Sequence, residues 1–235
     1  MPPTDVDDLT VPSAERPGAE RPTAERPTAE RVAASLRDEI LSGGLPPGMP
    51  LREAALAAEL EVSRNTFREA LRLLGAEGLI EQQLYKGAVV ASMSEARIRD
   101  IYLVRRTLEL RAVEESGAAT VAALDAVEAA VRVTEAAVAA EDWRGVGTYS
   151  LRFHGALVAT LGSPMLDTFF HGVTAQQRLA FAAVADEAVL QEPWTARDRE
   201  ICDLVRAGFR GAAGAALRQY LDDSERLLVQ LTRGA

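Results

Sequence analysis

One cysteine, Cys202, and one lysine, Lys86, occur in 235 residues, and aromatic residues make up only 5% of the chain. A lone cysteine excludes an intramolecular disulfide and every cysteine-rich zinc motif; it suits a reducing compartment, so a cytoplasmic location is expected. No apolar run reaches the roughly 18 residues that cross a bilayer, and the start lacks a basic cluster followed by a hydrophobic stretch. Neither a membrane partner nor a leader is therefore expected. Also missing are a Gly-x-Ser-x-Gly elbow, a phosphate-cradling glycine loop and His-Glu-x-x-His. Cys202 falls on an apolar helical face beside Ile201 and Leu204, so the pattern does not point to an enzyme. Positive charge is short as well: 26 basic against 35 acidic side chains leave a net charge of −9. Taken whole, that balance argues against nucleic acid, whose partners usually carry a basic footprint.

What is present is 48% hydrophobic and 26% charged, enough for two ordinary domains. From Ala14 to about Glu30 the sequence repeats Ala-Glu-Arg-Pro-Thr or Ala-Glu-Arg-Pro-Gly every five residues. Proline breaks helices, and the intervening Glu and Arg bury nothing, so residues 1–28 are expected to be a disordered tail. Helical spacing then begins, with Val32, Leu36, Ile40 and Leu41 on one face and Ser42-Gly43-Gly44 as the stop. A second helix is expected over 52–60 and a third over 64–76, with Ser63 as its N-cap. Only Glu61, Val62 and Ser63 separate them, the length of a helix-turn-helix corner. Two runs of β-formers, 79–82 and 88–91, flank Tyr85-Lys86-Gly87 as a small hairpin. After residues 92–94 the chain reads as wholly helical, with segments near 94–116, 120–140, 142–161, 164–184, 195–208 and 211–232. The predicted fold is mainly α: a winged helix-turn-helix over 29–92 and an all-α bundle over 94–232.

The third helix carries the clearest chemistry. At about 100° per residue, Phe67, Ala70, Leu71 and Leu74 share one face, and Arg64, Arg68 and Arg72 share its neighbour. Arg can chelate guanine in the major groove, Asn65 can read adenine, and Ser63 and Thr66 can donate to phosphate. A solvated charge stripe would give the same pattern. The order of elements tips the reading, because helix, helix, corner, basic helix and a hairpin tipped by Lys86 and Gly87 is the layout of a winged helix-turn-helix. Divided along the chain, the charge no longer opposes this. Residues 1–30 hold three basic and seven acidic groups, residues 31–91 seven and eight, and residues 92–235 sixteen and twenty. The reading head is nearly neutral, with its cations gathered on one helix and the wing.

The stretch Pro47-Gly48-Met49-Pro50-Leu51-Arg52-Glu53, Leu56-Ala57, Val62-Ser63-Arg64-Asn65-Thr66-Phe67-Arg68-Glu69-Ala70-Leu71-Arg72-Leu73-Leu74 and Glu77-Gly78-Leu79-Ile80 closely resembles the DNA-binding domain of the GntR family. The helical remainder is similar to the FCD ligand-sensing domain of its FadR-type branch. It does so through Val104-Arg105-Arg106-Thr107-Leu108-Glu109, Phe153-His154-Gly155-Ala156-Leu157, Gly162-Ser163-Pro164-Met165-Leu166 and Val205-Arg206-Ala207-Gly208. The resemblance implies a homodimeric regulator, a repressor by expectation, that binds a short palindromic operator in double-stranded DNA and responds to a small-molecule effector. It implies DNA contacts from Arg64, Thr66, Arg68, Lys86 and Gly87. Some members place Arg where this chain has Ala54, and Arg52 substitutes for it in part.

Many FCD domains hold a divalent metal (zinc, nickel or manganese) on an Asp or Asn four before the His of Phe-His, on that His, and on two later His. Here those places fall on Ser150, His154, Asp198 and Tyr220. Serine and tyrosine hydroxyls are poor ligands at neutral pH, which leaves His154 and Asp198 and an expectation of no bound metal and no cofactor. His171 is expected to be a packed helix residue. The effector-binding candidates are Arg105, Ser150, His154, Asp198 and Tyr220, with Arg105 suited to a carboxylate. Arg105 equally suits an ion pair with Glu109 one turn on, and the group a buried structural network. A constitutive regulator with a closed pocket is the alternative function.

Overall fold

The computed structural model describes residues 28–233, so the tail expected to be disordered over 1–28 lies outside the described residues except for Thr28, which begins the first helix. That helix, α1 (Thr28–Ser42), buries Val32, Ala33, Leu36 and Ile40 on one face. α2 (Glu53–Glu59) and α3 (Arg64–Ala76) follow. Arg52, expected inside α2, is its N-cap in extended backbone (φ −74°, ψ 97°). The reason lies just upstream, where residues 48–51 run along the hairpin. Leu51 N–H donates to the Ala88 carbonyl (2.8 Å), Val90 N–H donates to Met49 (2.9 Å), and Pro50 pairs with Val89. That extended edge strand, held to residues 88–90 far along the chain, keeps the backbone from turning helical before Glu53.

α3 starts where the sequence places it, the Ser63 hydroxyl accepting from the Thr66 N–H, and buries Phe67, Ala70, Leu71 and Leu74. Gly78 (φ +71°) turns the chain after it, and a Cβ there would meet the Gln176 amide at 2.5 Å. The hairpin pairs β1 (Ile80–Gln83) with β2 (Gly87–Val90), from Ile80 opposite Val90 to Gln83 opposite Gly87. Both strands lie one residue from their expected positions, because Tyr85 (φ +67°) and Gly87 (φ +75°) close the turn with only residues 84–86 between the strands.

The remainder is helical: α4 (Glu95–Glu115), α5 (Val121–Ala139), α6 (Trp143–Ala159), α7 (Pro164–Ala182), α8 (Glu187–Gln191), α9 (Thr195–Arg206) and α10 (Arg210–Arg233). Ser94, Thr120, Asp142, Ser163 and Asp186 cap α4 to α8 with side-chain bonds. α8 is absent from the sequence expectation, which left 184–195 as a connection. Asp186 bonds two N–H groups of that turn while Leu190 and Trp194 are buried, so tertiary packing holds a helix too short to declare itself.

Two main cores result. The head core joins α1, α3, the hairpin and Leu51, and takes in Ala175 and Leu179 of α7; the bundle core is built from α4 to α10. A polar strap crosses the same junction. Arg37 of α1 pairs with Glu77 at the end of α3, Gln176 Nε2 donates to the Glu77 carbonyl (3.0 Å), and Arg97 Nε donates to Gln176 Oε1 (2.8 Å).

Candidate nucleic-acid interface and buried polar site

On the head, Arg64 and Asn65 open α3 exposed, and neither side chain has a protein partner among the described residues. Ser63 and Thr66 hydroxyls lie 2.8 Å apart, so one donates to the other and one hydroxyl proton stays free. Arg68 reaches back to Glu53 (2.7 Å) and Arg72 pairs with Glu69, so the stripe expected from sequence is tethered along its C-terminal part and free at its start. Arg52 and Lys86 are exposed, and the space around Gly87 is open, with nothing within 4 Å of an added Cβ. Between this face and β1 lies a groove of about 420 Å³ lined by Glu53, Arg68, Arg72, Glu81 and Gln82 over Leu71 and Ile80. Helix and wing thus flank a trough, with basic groups on the helix side.

Inside the bundle the five expected polar residues do come together. Arg105, Ser150, His154, Asp198 and Tyr220 are all buried, on α4, α6, α9 and α10. The residue organising them is Glu109. One carboxylate oxygen accepts from Arg105 Nε (2.6 Å), and the other lies 2.6 Å from His154 Nδ1. His154 Nε2 faces Asp198 Oδ1 at 3.5 Å, and the imidazole packs against the Tyr220 ring (centroids 4.9 Å apart). The Ser150 and Tyr220 hydroxyls are 3.4 Å apart. Burial alone would neutralise these groups, yet opposite charges outweigh it. Arg105 is held charged by Glu109; Glu109 is drawn below the ordinary carboxylate range by Arg105 and His154; His154 is raised by Glu109. Burial, reinforced by the charge of Asp198, pushes the Tyr220 phenol well above its usual value. The donors available to a metal are therefore one imidazole nitrogen and one carboxylate, Tyr220 being a neutral phenol.

Beside this network a cavity of about 10 Å³, room for about one water molecule, is lined by Arg105, Ser150, Gln177, Gln191, Trp194 and Tyr220 among others. Among the described residues, Arg105 Nη2, Gln191 Nε2 and Gln177 Oε1 have no hydrogen-bond partner, nor do His154 Nε2 and both Asp198 oxygens. Buried polar atoms are nearly always paired, which makes these atoms a candidate binding site.

Residues 28–90 match the family described as bacterial regulatory proteins, gntR family, and residues 100–223 match the FCD domain. The chain belongs to the GntR family. This GntR protein is a DNA-binding transcriptional regulator with a C-terminal effector-binding domain, and not an enzyme. It is 28% identical over 223 residues to the galactonate operon transcriptional repressor of Escherichia coli (strain K12), a match covering 86% of this chain and 96% of that one. It is 43% identical over 90 residues to the gluconate operon transcriptional repressor of Bacillus licheniformis, covering 38% of this chain and only 37% of that relative. The crystal structure of a transcriptional regulator GntR from Rhodococcus sp. RHA1 superposes with a TM-score of 0.80 at 34% identity, covering 86% of this chain and 97% of the other.

In this GntR regulator three polar residues of the buried site, Glu109, Gln177 and Gln191, escape sequence reasoning as site residues. Glu109 was visible as a helix neighbour of Arg105, and the helical spacing of α4 puts both on one face. Gln177 and Gln191 carry no motif, and only tertiary packing brings them there. His171, expected to be packed, is exposed. It lines a cleft of about 430 Å³ between α1 and the α6–α7 face, so amphipathic position alone misplaced it. Cys202 is buried, and burial followed by the charge of Glu128 pushes its thiol up to about 12, which leaves it inert.

Proposed function

We propose that the protein is a cytoplasmic repressor that binds a short palindromic operator as a homodimer and changes its operator affinity when a small acid enters the bundle. The observation that carries the DNA reading is the pair Arg64 and Asn65, unpartnered at the exposed start of a helix whose other face is buried. Charged and amide side chains presented in this way reach base edges, and the free hydroxyl of the Ser63–Thr66 pair reaches a phosphate. Arg52, Lys86 and the backbone at Gly87 add contacts to the sugar-phosphate chain. Arg68 joins them by exchanging Glu53 for a phosphate. One such helix covers only a few base pairs, and a two-fold dimer doubles the contacts. The repressor reading follows the relatives, which are named as operon repressors.

The effector is a hydroxylated carboxylate. Arg105 Nη2 supplies a charged donor, with Gln177, Gln191, Ser150 and Tyr220 for hydroxyl groups and His154 and Asp198 close behind. The operons named for the relatives, gluconate and galactonate, are of the same chemical class. A cavity of about 10 Å³ admits such a molecule only if the wall formed by α8 and Trp194 moves. Binding is in this way tied to a change of shape. His154 and Asp198 make too small a donor set for tight zinc, nickel or manganese, so no metal is needed.

Selection of genomic fragments with the purified protein, followed by footprinting, tests the first part: a protected palindrome is expected, and absence of sequence-selective binding overturns it. Thermal stability in the presence of gluconate, galactonate and simpler carboxylates tests the second. A shift with release of operator is expected for one of them, no shift with any overturns the effector assignment, and a large shift with zinc or nickel alone overturns the metal-free reading.

A further inference from the structure

Two side chains at the wing tip take no part in the contacts described above. Leu84 is 80% exposed and Tyr85 98% exposed, the latter being the most exposed large apolar side chain among the described residues. Neither belongs to any of the cores. The backbone sharpens the point. Tyr85 sits at φ +67°, a left-handed conformation that costs a bulky L-residue energy and that Gly, Asn or Asp adopt readily. A residue suited to the turn alone would be glycine, as at Gly87. Glu61 (φ +53°) and Glu141 (φ +55°) share this conformation, and among the described residues Tyr85 alone combines it with an exposed large apolar side chain.

The surroundings say what such a side chain would meet. Lys86 follows Tyr85, exposed and with its ammonium unpaired among the described residues. The strand leading to the tip, β1, forms one wall of the groove whose other wall carries Arg68 and Arg72. An apolar pair beside a cation, joined through β1 to the groove that carries Arg68 and Arg72, matches a duplex edge: apolar base steps inside, phosphates outside.

We propose that Leu84 and Tyr85 form an apolar wedge that enters the minor groove flanking the sequence read by α3 and partly unstacks a flexible pyrimidine–purine step, while Lys86 pairs with the adjoining phosphate. The wedge rests on the assignment of α3 and the wing to DNA. It lets the wing select base steps without hydrogen bonds to them, because opening a TA or CA step costs less than opening a stiff A-tract.

The test uses the full chain, a selected operator, and two flank variants carrying either a TA step or an A-tract at the wing position. For the wild type, roughly tenfold tighter binding to the TA flank is expected, the scale of one unfavourable base pair, together with a bend measured by energy transfer between end labels. Tyr85→Gly relieves the left-handed strain, so its melting temperature is expected to be unchanged or higher while both flank preference and bend are lost; Tyr85→Phe keeps them and Leu84→Ser reduces them. Retention of the bend and the preference in Tyr85→Gly overturns the wedge. So does a change in oligomeric state with DNA deformation intact, which would make the tip a contact between copies. The parent assignment fails separately, and is recognised by a wild type that selects no operator at all.

Discussion

The start of α3 and the centre of the bundle use the same residue types in opposite ways. At the surface Arg64 is exposed and unpaired among the described residues; inside, Arg105 is 1% exposed and bonded to Glu109, itself fully buried. A free surface cation costs the fold almost nothing and is available to a phosphate or a base. A buried cation must be matched atom by atom, because its desolvation is repaid only by partners at short range. On the proposed reading, the head stores recognition in side chains that stability can spare, whereas the bundle stores it in side chains that stability depends on.

The largest effect expected from breaking this contrast is at Glu109. Glu109→Leu leaves a buried guanidinium and imidazole without their carboxylate, and a loss of about 3–5 kcal/mol in unfolding free energy is expected by urea denaturation. A loss below about 1 kcal/mol would mean that the network is solvated like a surface pair. Next comes Arg64→Ala, expected to weaken operator binding by about 1–3 kcal/mol and to relax preference at one base pair, with the melting temperature unchanged. If stability falls along with affinity, the surface side of the comparison fails. Ser63→Ala sits between the two regimes, since the hydroxyl caps α3 and lies on the end proposed to face DNA; about 1 kcal/mol of stability is expected to go, measured by the same urea titration. The smallest effect is at Lys86. Lys86→Ala should lower affinity for all sequences alike and reduce the slope of log affinity against log salt by about one, and a sequence-dependent loss would reassign that residue.

The two sites were also unequally legible. The helix-turn-helix is a local pattern: the cap at Ser63, the four-residue spacing of Arg64, Arg68 and Arg72 and the apolar face from Phe67 to Leu74 lie within a dozen residues. Helical geometry alone orients them. The pairings that tether Arg68 and Arg72 were not visible, since Glu53 comes from another helix and the choice of Glu69 among neighbours depends on rotamers. In the bundle the resemblance named His154, Asp198 and Tyr220, and the fold brings them together from three helices. Glu109 was read only as a neighbour of Arg105, although it joins Arg105 to His154. Gln177 and Gln191 were missed because each reaches the cavity through the packing of α7 and α8, and α8 has no periodic signal of its own.

Legible without the fold were the long helices and the hairpin, the near-neutral charge of the head with its cations on one helix and the wing, and the lack of any run long enough for a membrane; among the described residues no helix is long and apolar enough to cross one. These properties depend on spacing within one turn or one helix, which the backbone fixes locally. The tertiary structure decided which charges are free and which are paired, that residues 48–51 lie against the hairpin, that Gln176 straps the head to α7, and that five buried polar groups meet beside a cavity of about 10 Å³. Those outcomes depend on contacts between residues as far as 138 positions apart in the chain, as in the Arg233–Glu95 pair. Burial sets the electrostatic cost of each of them, and burial is a property of the packed molecule.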